Sequence, residues 1–143
     1  MKTLKQLLAD KQRPLAVVAP KDSVFHALNV MAEHNVGAVL VLDGEQLVGL
    51  FSERDYARKL ILHGKSSKET LVSEIMSDKV AYVTPTATID CCMALMTEKH
   101  FRHLPVLNED NSLAGMVSIG DLVKETISSQ KFLIAELERY IAS

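Results

Sequence analysis

The sequence predicts a mixed α+β fold (α/β mixed) built from two copies of one βαββα repeat, with a helical extension at each end. Three observations carry this. Residues recur in order at a fixed offset: Pro20 and Pro85, Ser23 and Thr88, Val24 and Ile89, Met31 and Met96, and Glu33 and Glu98 are all 65 apart. Val41-Leu42 and Val106-Leu107 keep that spacing, after which one extra loop residue makes it 66 for Leu47/Leu113, Gly49/Gly115, Ser52/Ser118 and Asp55/Asp121. Within each copy the apolar pattern switches from short runs to helical periodicity and back to short runs.

Taken in order, residues 3–10 predict an N-terminal helix lying outside the repeats. The first copy, 14–62, begins with a strand at Leu15 to Val18 that runs into Pro20. Asp22 or Ser23 caps the next helix, whose apolar positions Val24, Ala27, Leu28 and Met31 follow i, i+3, i+4, i+7. A strand at Ala38 to Leu42, a tight turn at Asp43-Gly44 and a strand at Leu47 to Phe51 follow. Ser52 is placed to cap the closing helix, 53–62. Residues 63–79 read as a linker. Its polar part, Gly64 to Thr70, has capping-box spacing at Ser66 to Glu69, and a short helix near Leu71 to Met76 leads onward. The second copy, 80–127, repeats the pattern. A strand at Val80 to Val83 leads to a helix capped by Thr86 or Thr88, with Ile89, Cys92, Met93 and Met96 apolar. Strands at Leu104 to Leu107 and Leu113 to Val117 follow, then a closing helix, 119–127, behind Ser118. Residues 128–143 form a C-terminal helix whose stripe of Leu133, Leu137, Tyr140 and Ile141 packs on the chain's own surface or makes a dimer contact.

Composition narrows the function classes. With 143 residues the chain holds one domain or two small ones and buries a core without staples. Hydrophobic residues make up 48% and charged residues 24%, while aromatics are only 5% and Trp is absent, so the core is aliphatic. A formal net charge of −2 with no Lys/Arg block argues against a nucleic-acid partner. No apolar run is long enough to span a bilayer, and no signal peptide is read at the N-terminus, so a membrane partner is not expected. The two cysteines, Cys91 and Cys92, are adjacent, a spacing that strains a disulfide, and the expected location is a reducing cytoplasm.

Gly49-Leu50-Phe51-Ser52-Glu53-Arg54-Asp55 and Gly115-Met116-Val117-Ser118-Ile119-Gly120-Asp121, together with Phe101-Arg102-His103-Leu104-Pro105-Val106, closely resemble the cystathionine-β-synthase-type (CBS) domain. Both copies match that family's Gly-apolar-apolar-Ser/Thr-x-x-Asp signature, and the similarity covers about residues 14–127. The resemblance implies a tandem pair, the Bateman module, in which two pseudo-twofold-related repeats enclose two clefts. It also implies an adenosine-containing ligand, of the AMP, ATP or NAD type, and disc-like homodimers.

The expected site follows from ligand chemistry. One carboxylate accepts hydrogen bonds from both ribose hydroxyls, which suits Asp55 and Asp121 in the first turn of each closing helix. Ser52 and Ser118 bond ribose or phosphate, and the first-turn N–H groups attract anions. For each Ser/Asp pair, plain helix capping is the competing reading. Arg102 and His103 supply cations beside the second strand of copy two, where Arg grips phosphate bidentately. Small Gly37 and Ala38 stand at the matching positions of copy one and let an adenine approach. The stronger site is therefore expected to join the Val36-Gly37-Ala38 wall to Arg102, His103, Ser118 and Asp121. A weaker one holds Ser52, Arg54 and Asp55, and Thr84 completes the ligand-binding set. Surface ion pairing is the alternative for Arg102.

Metal and nucleophile readings are poor: a strand break separates His100 from His103, and Cys92 falls on the apolar helix face. No catalytic cofactor and no catalytic residue are expected, so the chain reads as a regulatory module and not an enzyme. It would sense energy or redox state and act on an unknown effector protein. The alternatives are a ligand-independent interaction or scaffold module, and a nucleotide-metabolising enzyme, for which the chain has no catalytic barrel.

Overall fold

The computed structural model describes residues 2–11 and 15–142. Pro14, the expected first residue of copy one, lies outside them. In chain order the elements are α1 (Leu4–Lys11), β1 (Val17–Val18), α2 (Val24–His34), β2 (Ala38–Asp43), β3 (Gln46–Ser52) and α3 (Glu53–Asp55). A π-helical segment, Tyr56–Ile61, continues α3, and is followed by α4 (Val72–Ile75), α5 (Ile89–Lys99), β4 (His103–Leu107), β5 (Leu113–Ser118) and α6 (Ile119–Ala142).

In both repeats the first helix and the hairpin after it form where the pattern predicts. In the first, β1 pairs parallel with β2, and β2 pairs antiparallel with β3. In the second, β4 pairs antiparallel with β5, and each hairpin has a register shift at the same place, Val41/Leu42 and Val106/Leu107. The caps resolve as Ser23, whose hydroxyl accepts from the His26 N–H at 3.1 Å, and Thr88, which accepts from Cys91 at 3.2 Å. Asp22 instead closes the preceding turn by accepting from the Ala19 N–H at 2.8 Å. Both repeat helices end on a left-handed residue, Asn35 (φ 53°) and His100 (φ 60°), where a short polar side chain or an imidazole stands in for glycine.

The N-terminal helix is not an appendage; it is part of the repeat. Leu4 and Lys5 donate their N–H groups to Ala87 and Pro85 at 3.0 and 2.9 Å, and Val72 and Ser73 donate theirs to Asp22 and Pro20 at 2.8 and 3.0 Å. Antiparallel bridges Thr3/Thr88 and Ser23/Leu71 complete the match. Helix α1 therefore docks on the second repeat in the way α4 docks on the first. Each repeat is completed by a helix that precedes the other one in the chain. The two cores record the exchange. Val72 and Ile75 enter the first with Val24, Ala27, Met31, Val41 and Phe51, while Leu4 and Leu7 enter the second with Ile89, Cys92, Met96, Val106 and Val117. Glycine is needed where these helices cross the sheets. A Cβ on Gly49 would lie 2.5 Å from Met76 Sδ and 3.0 Å from the Ser77 carbonyl, and one on Gly115 would lie 2.8 Å from Leu8 Cδ2.

Three elements differ from expectation. Residues Val80 to Val83 form no strand, only a parallel bridge between Val83 and Val106. In the first repeat Leu40 donates its N–H to Ala16 at 3.0 Å, but its counterpart is Pro105, which has no N–H to give Ala81. The first closing helix is mostly π-helical, and its end bond runs from Leu62 N–H to the Ala57 carbonyl at 3.3 Å. The second closing helix and the C-terminal helix are one 24-residue helix, because no Gly, Pro or capping break interrupts Asp121 to Ala142. The polar stretch before α4 is folded onto α2: the Thr70 and Ser67 carbonyls accept from Val24 and Phe25, each at 2.9 Å.

Candidate functional site

The closing helix of each repeat starts on a reciprocal cap. Ser52 Oγ accepts from the Asp55 N–H at 3.2 Å, and Asp55 Oδ2 accepts from the Ser52 N–H at 3.0 Å. Ser118 and Asp121 repeat this at 3.1 and 2.9 Å. These pairs satisfy donors that the helix start would otherwise leave open. The capping reading is thus realised at both positions, and it also fixes where each carboxylate sits.

Asp55 has further partners. Its Oδ2 also accepts from Ser52 Oγ at 3.1 Å, its Oδ1 lies 3.4 Å from Ser77 Oγ, and Lys59 Nζ pairs with Oδ1 at 3.3 Å. Lys59 donates in addition to the Ile75 carbonyl at 3.2 Å. The side chain of Asp55 is 13% exposed and lines a cavity of about 1000 Å³. That volume is at the upper end for small-molecule sites.

The cavity lies on the seam between repeats. Ser52, Asp55 and Arg54 line it from the first repeat, and Arg102 and His103 from the second. Gly37 stands between them: a Cβ there would lie 3.8 Å from the His103 ring and 3.7 Å from Glu53 Oε2. Backbone bonds from Glu53 N–H to the Gly37 carbonyl (3.0 Å) and from Ile119 N–H to the Arg102 carbonyl (2.8 Å) hold the two strand entries in equivalent places.

The expected residues therefore group differently from the sequence reading. Arg102 and His103 share a cavity with Ser52, Arg54 and Asp55, whereas Ser118 and Asp121 are not among its lining residues. Of the small-residue wall only Gly37 lines it, because Ala38 is fully buried and Val36 packs into the first core. Thr84 is exposed and its hydroxyl bonds that of Thr86 at 3.0 Å. The grouping turns on how the halves pack, which residue offsets do not encode.

Sequence reasoning missed Arg58, Lys59, Ser77, Lys79 and Lys99, all of which line the cavity. Arg58 was findable, since it lies four residues after Arg54 on the same helix face. Lys79 and Lys99 reach the site only through the fold. Cys92 is fully buried in the second core, where burial first and the adjacent Cys91 second push its thiol upward, away from thiolate chemistry. Among the described residues no helix is long and apolar enough to cross a membrane.

Comparison with known proteins agrees with this architecture. A family model described as the CBS domain matches the chain twice, over residues 8–62 and 72–128. The chain is 43% identical over 125 residues to the Arabidopsis thaliana "CBS domain-containing protein CBSX3, mitochondrial", covering 84% of this chain and 60% of that protein. It thus spans less than two thirds of that relative. A solved structure of a putative signal-transduction protein with CBS domains from Burkholderia ambifaria is 49% identical, with TM-score 0.85, 90% of this chain covered and 96% of that one. The structure of CBSX2 in complex with AMP is 28% identical, with TM-score 0.68, covering 83% of this chain and 92% of that one.

Proposed function

The chain belongs to the CBS domain family, and from that premise we propose that it is a regulatory module, not a catalyst, that binds an adenosine nucleotide in the seam cavity and acts on a partner protein in the cytoplasm. One observation carries the reading: a carboxylate held at the start of a helix and cations from both repeats face one cavity of nucleotide size. AMP bound to a structural neighbour supports the ligand class. AMP, ATP and NAD are the candidates.

In this reading the ribose hydroxyls bond Asp55, the base lies along the backbone of Gly37, and Arg102 and Arg54 take the phosphate. Ligand binding then competes with the Lys59 and Ser77 contacts of Asp55. Those contacts tie Asp55 to α4 and the segment after it, since Lys59 also holds the Ile75 carbonyl. A ligand that favours the released arrangement shifts the population toward it. The output surface is α6. Phe132, Leu133, Ile134, Leu137, Tyr140 and Ile141 are all more than half exposed, a stripe suited to a second copy of the chain in a homodimer.

A ligand-independent scaffold is the second reading. It is favoured by the internal partners that already occupy both oxygens of Asp55. Calorimetric titration with AMP and ATP separates the two, using Asp55→Ala against Asp121→Ala. Both variants lose a helix cap, so loss of binding in Asp55→Ala alone supports the nucleotide reading. Binding that survives Asp55→Ala removes this site, and silence of the unaltered protein toward every adenosine compound favours the scaffold.

A further inference from the structure

The chain carries a net negative charge, yet its seam cavity is strongly basic. Arg54, Arg58, Lys59, Lys79, Lys99 and Arg102 line it against two carboxylates, Glu53 and Asp55. Among the described residues, Lys59 is the one member of these six in an ion pair. The cations also come from separate elements. Arg54, Arg58 and Lys59 stand on the closing helix of the first repeat, Lys79 after α4, Lys99 at the end of α5, and Arg102 before β4.

The positions equivalent by repeat symmetry do not repeat most of these cations. By the register of the two copies, Arg54, Arg58 and Lys59 correspond to Gly120, Lys124 and Glu125, and Lys99 and Arg102 correspond to His34 and Gly37. At those five positions, all cations in this cavity, the equivalents include one lysine, Lys124, while Lys79 falls against Lys11 at the spacing of 68 and Glu125 pairs with Lys2 at 3.2 Å. Two copies of one repeat have been made electrostatically unlike while their folds stayed alike.

Resting on the nucleotide-module reading, we infer that this cavity takes an adenine nucleotide bearing two or three phosphates, and that each chain holds one such ligand, in the basic cleft only. Like charges gathered around one cavity repel each other, and a bound polyanion relieves that repulsion more with each added phosphate. A monophosphate leaves most of the cations uncompensated. NAD offsets part of its diphosphate with a cationic nicotinamide, and a sulfonium such as S-adenosylmethionine adds positive charge. The cavity volume accommodates the longer phosphate chain.

The test is calorimetric titration of the full chain with ATP, ADP, AMP and adenosine, free of divalent cations, at low and moderate salt. The expected result is one ATP per chain, bound at least tenfold tighter than AMP, with an advantage that shrinks as salt rises. Inorganic triphosphate should compete with ATP. Arg58→Gln with Lys99→Gln should lower ATP affinity at least tenfold and adenosine affinity less than twofold. Lys124→Gln, at the matching place in the other cleft, should change neither. AMP binding as tightly as ATP, or two equal ATP sites per chain, overturns the inference and leaves the nucleotide module standing. Failure of every adenine compound to bind overturns both.

Discussion

Replacing Leu4 by alanine tests the exchange of helices between the repeats. If α1 were an appendage, this change near the N-terminus would cost almost nothing. In the structure Leu4 has no exposed surface and lies in the core of the second repeat, where Val72 lies in the first. The three carbons removed account for about 2.4 kcal/mol at roughly 0.8 kcal/mol per buried methylene, and the cavity left behind raises the cost to about 3–4 kcal/mol. That is a large share of the ~5–15 kcal/mol that holds an ordinary domain. Urea unfolding should show a lowered midpoint with an unchanged slope, and melting should fall by about 10 °C, at roughly 3 °C per kcal/mol. Lys5→Ala, one residue away but exposed, should shift neither by more than about 0.5 kcal/mol. A Leu4→Ala cost below about 1 kcal/mol would refute the docking of α1 as part of the second repeat.

Further outcomes follow from the packing. Gly49→Ala and Gly115→Ala should each cost about 1–3 kcal/mol in denaturant unfolding. Gly49→Ala should cost more, because its new methyl meets the Ser77 carbonyl as well as a flexible methionine end. Pro105→Leu should return the missing N–H to the parallel ladder and protect that amide from hydrogen exchange; a freely exchanging amide would show that proline does not set the length of the strand. Its net stability should change little, since a gain of about 1 kcal/mol from the bond is offset by about 0.4–1 kcal/mol from the freer unfolded chain. Iodoacetamide at mildly alkaline pH should label exposed Cys91 well before Cys92, whose burial holds its thiol protonated to higher pH; tandem mass spectrometry finding equal labelling would contradict the buried assignment.

Local features were legible in the sequence because they depend on neighbours a few residues away. Ser23 and Thr88 cap helices because their hydroxyls reach an N–H three residues on, and the Ser52–Asp55 and Ser118–Asp121 pairs follow the same rule. The membership of α1 in the repeat was hidden, since only three apolar positions, Leu4, Leu7 and Leu8, match Val72, Ile75 and Met76, and the spacing there changes to 68. The composition of the cavity was hidden for another reason. Offsets between repeats say which residues are equivalent, but not which half supplies the cations facing Asp55. That depends on long-range packing across the seam. The lost strand at Val80 to Val83 was readable in hindsight from Pro105 alone, once Leu40 was known to donate at the matching place.

The nucleotide's position in the molecule is the most direct check on the account as a whole. A crystal structure of the chain grown with ATP should place the ribose hydroxyls on the Asp55 carboxylate and the phosphates among Arg54, Arg58, Lys99 and Arg102. A nucleotide seated on Asp121 with this cavity left empty, or resting on the outer surface away from the seam, would contradict it.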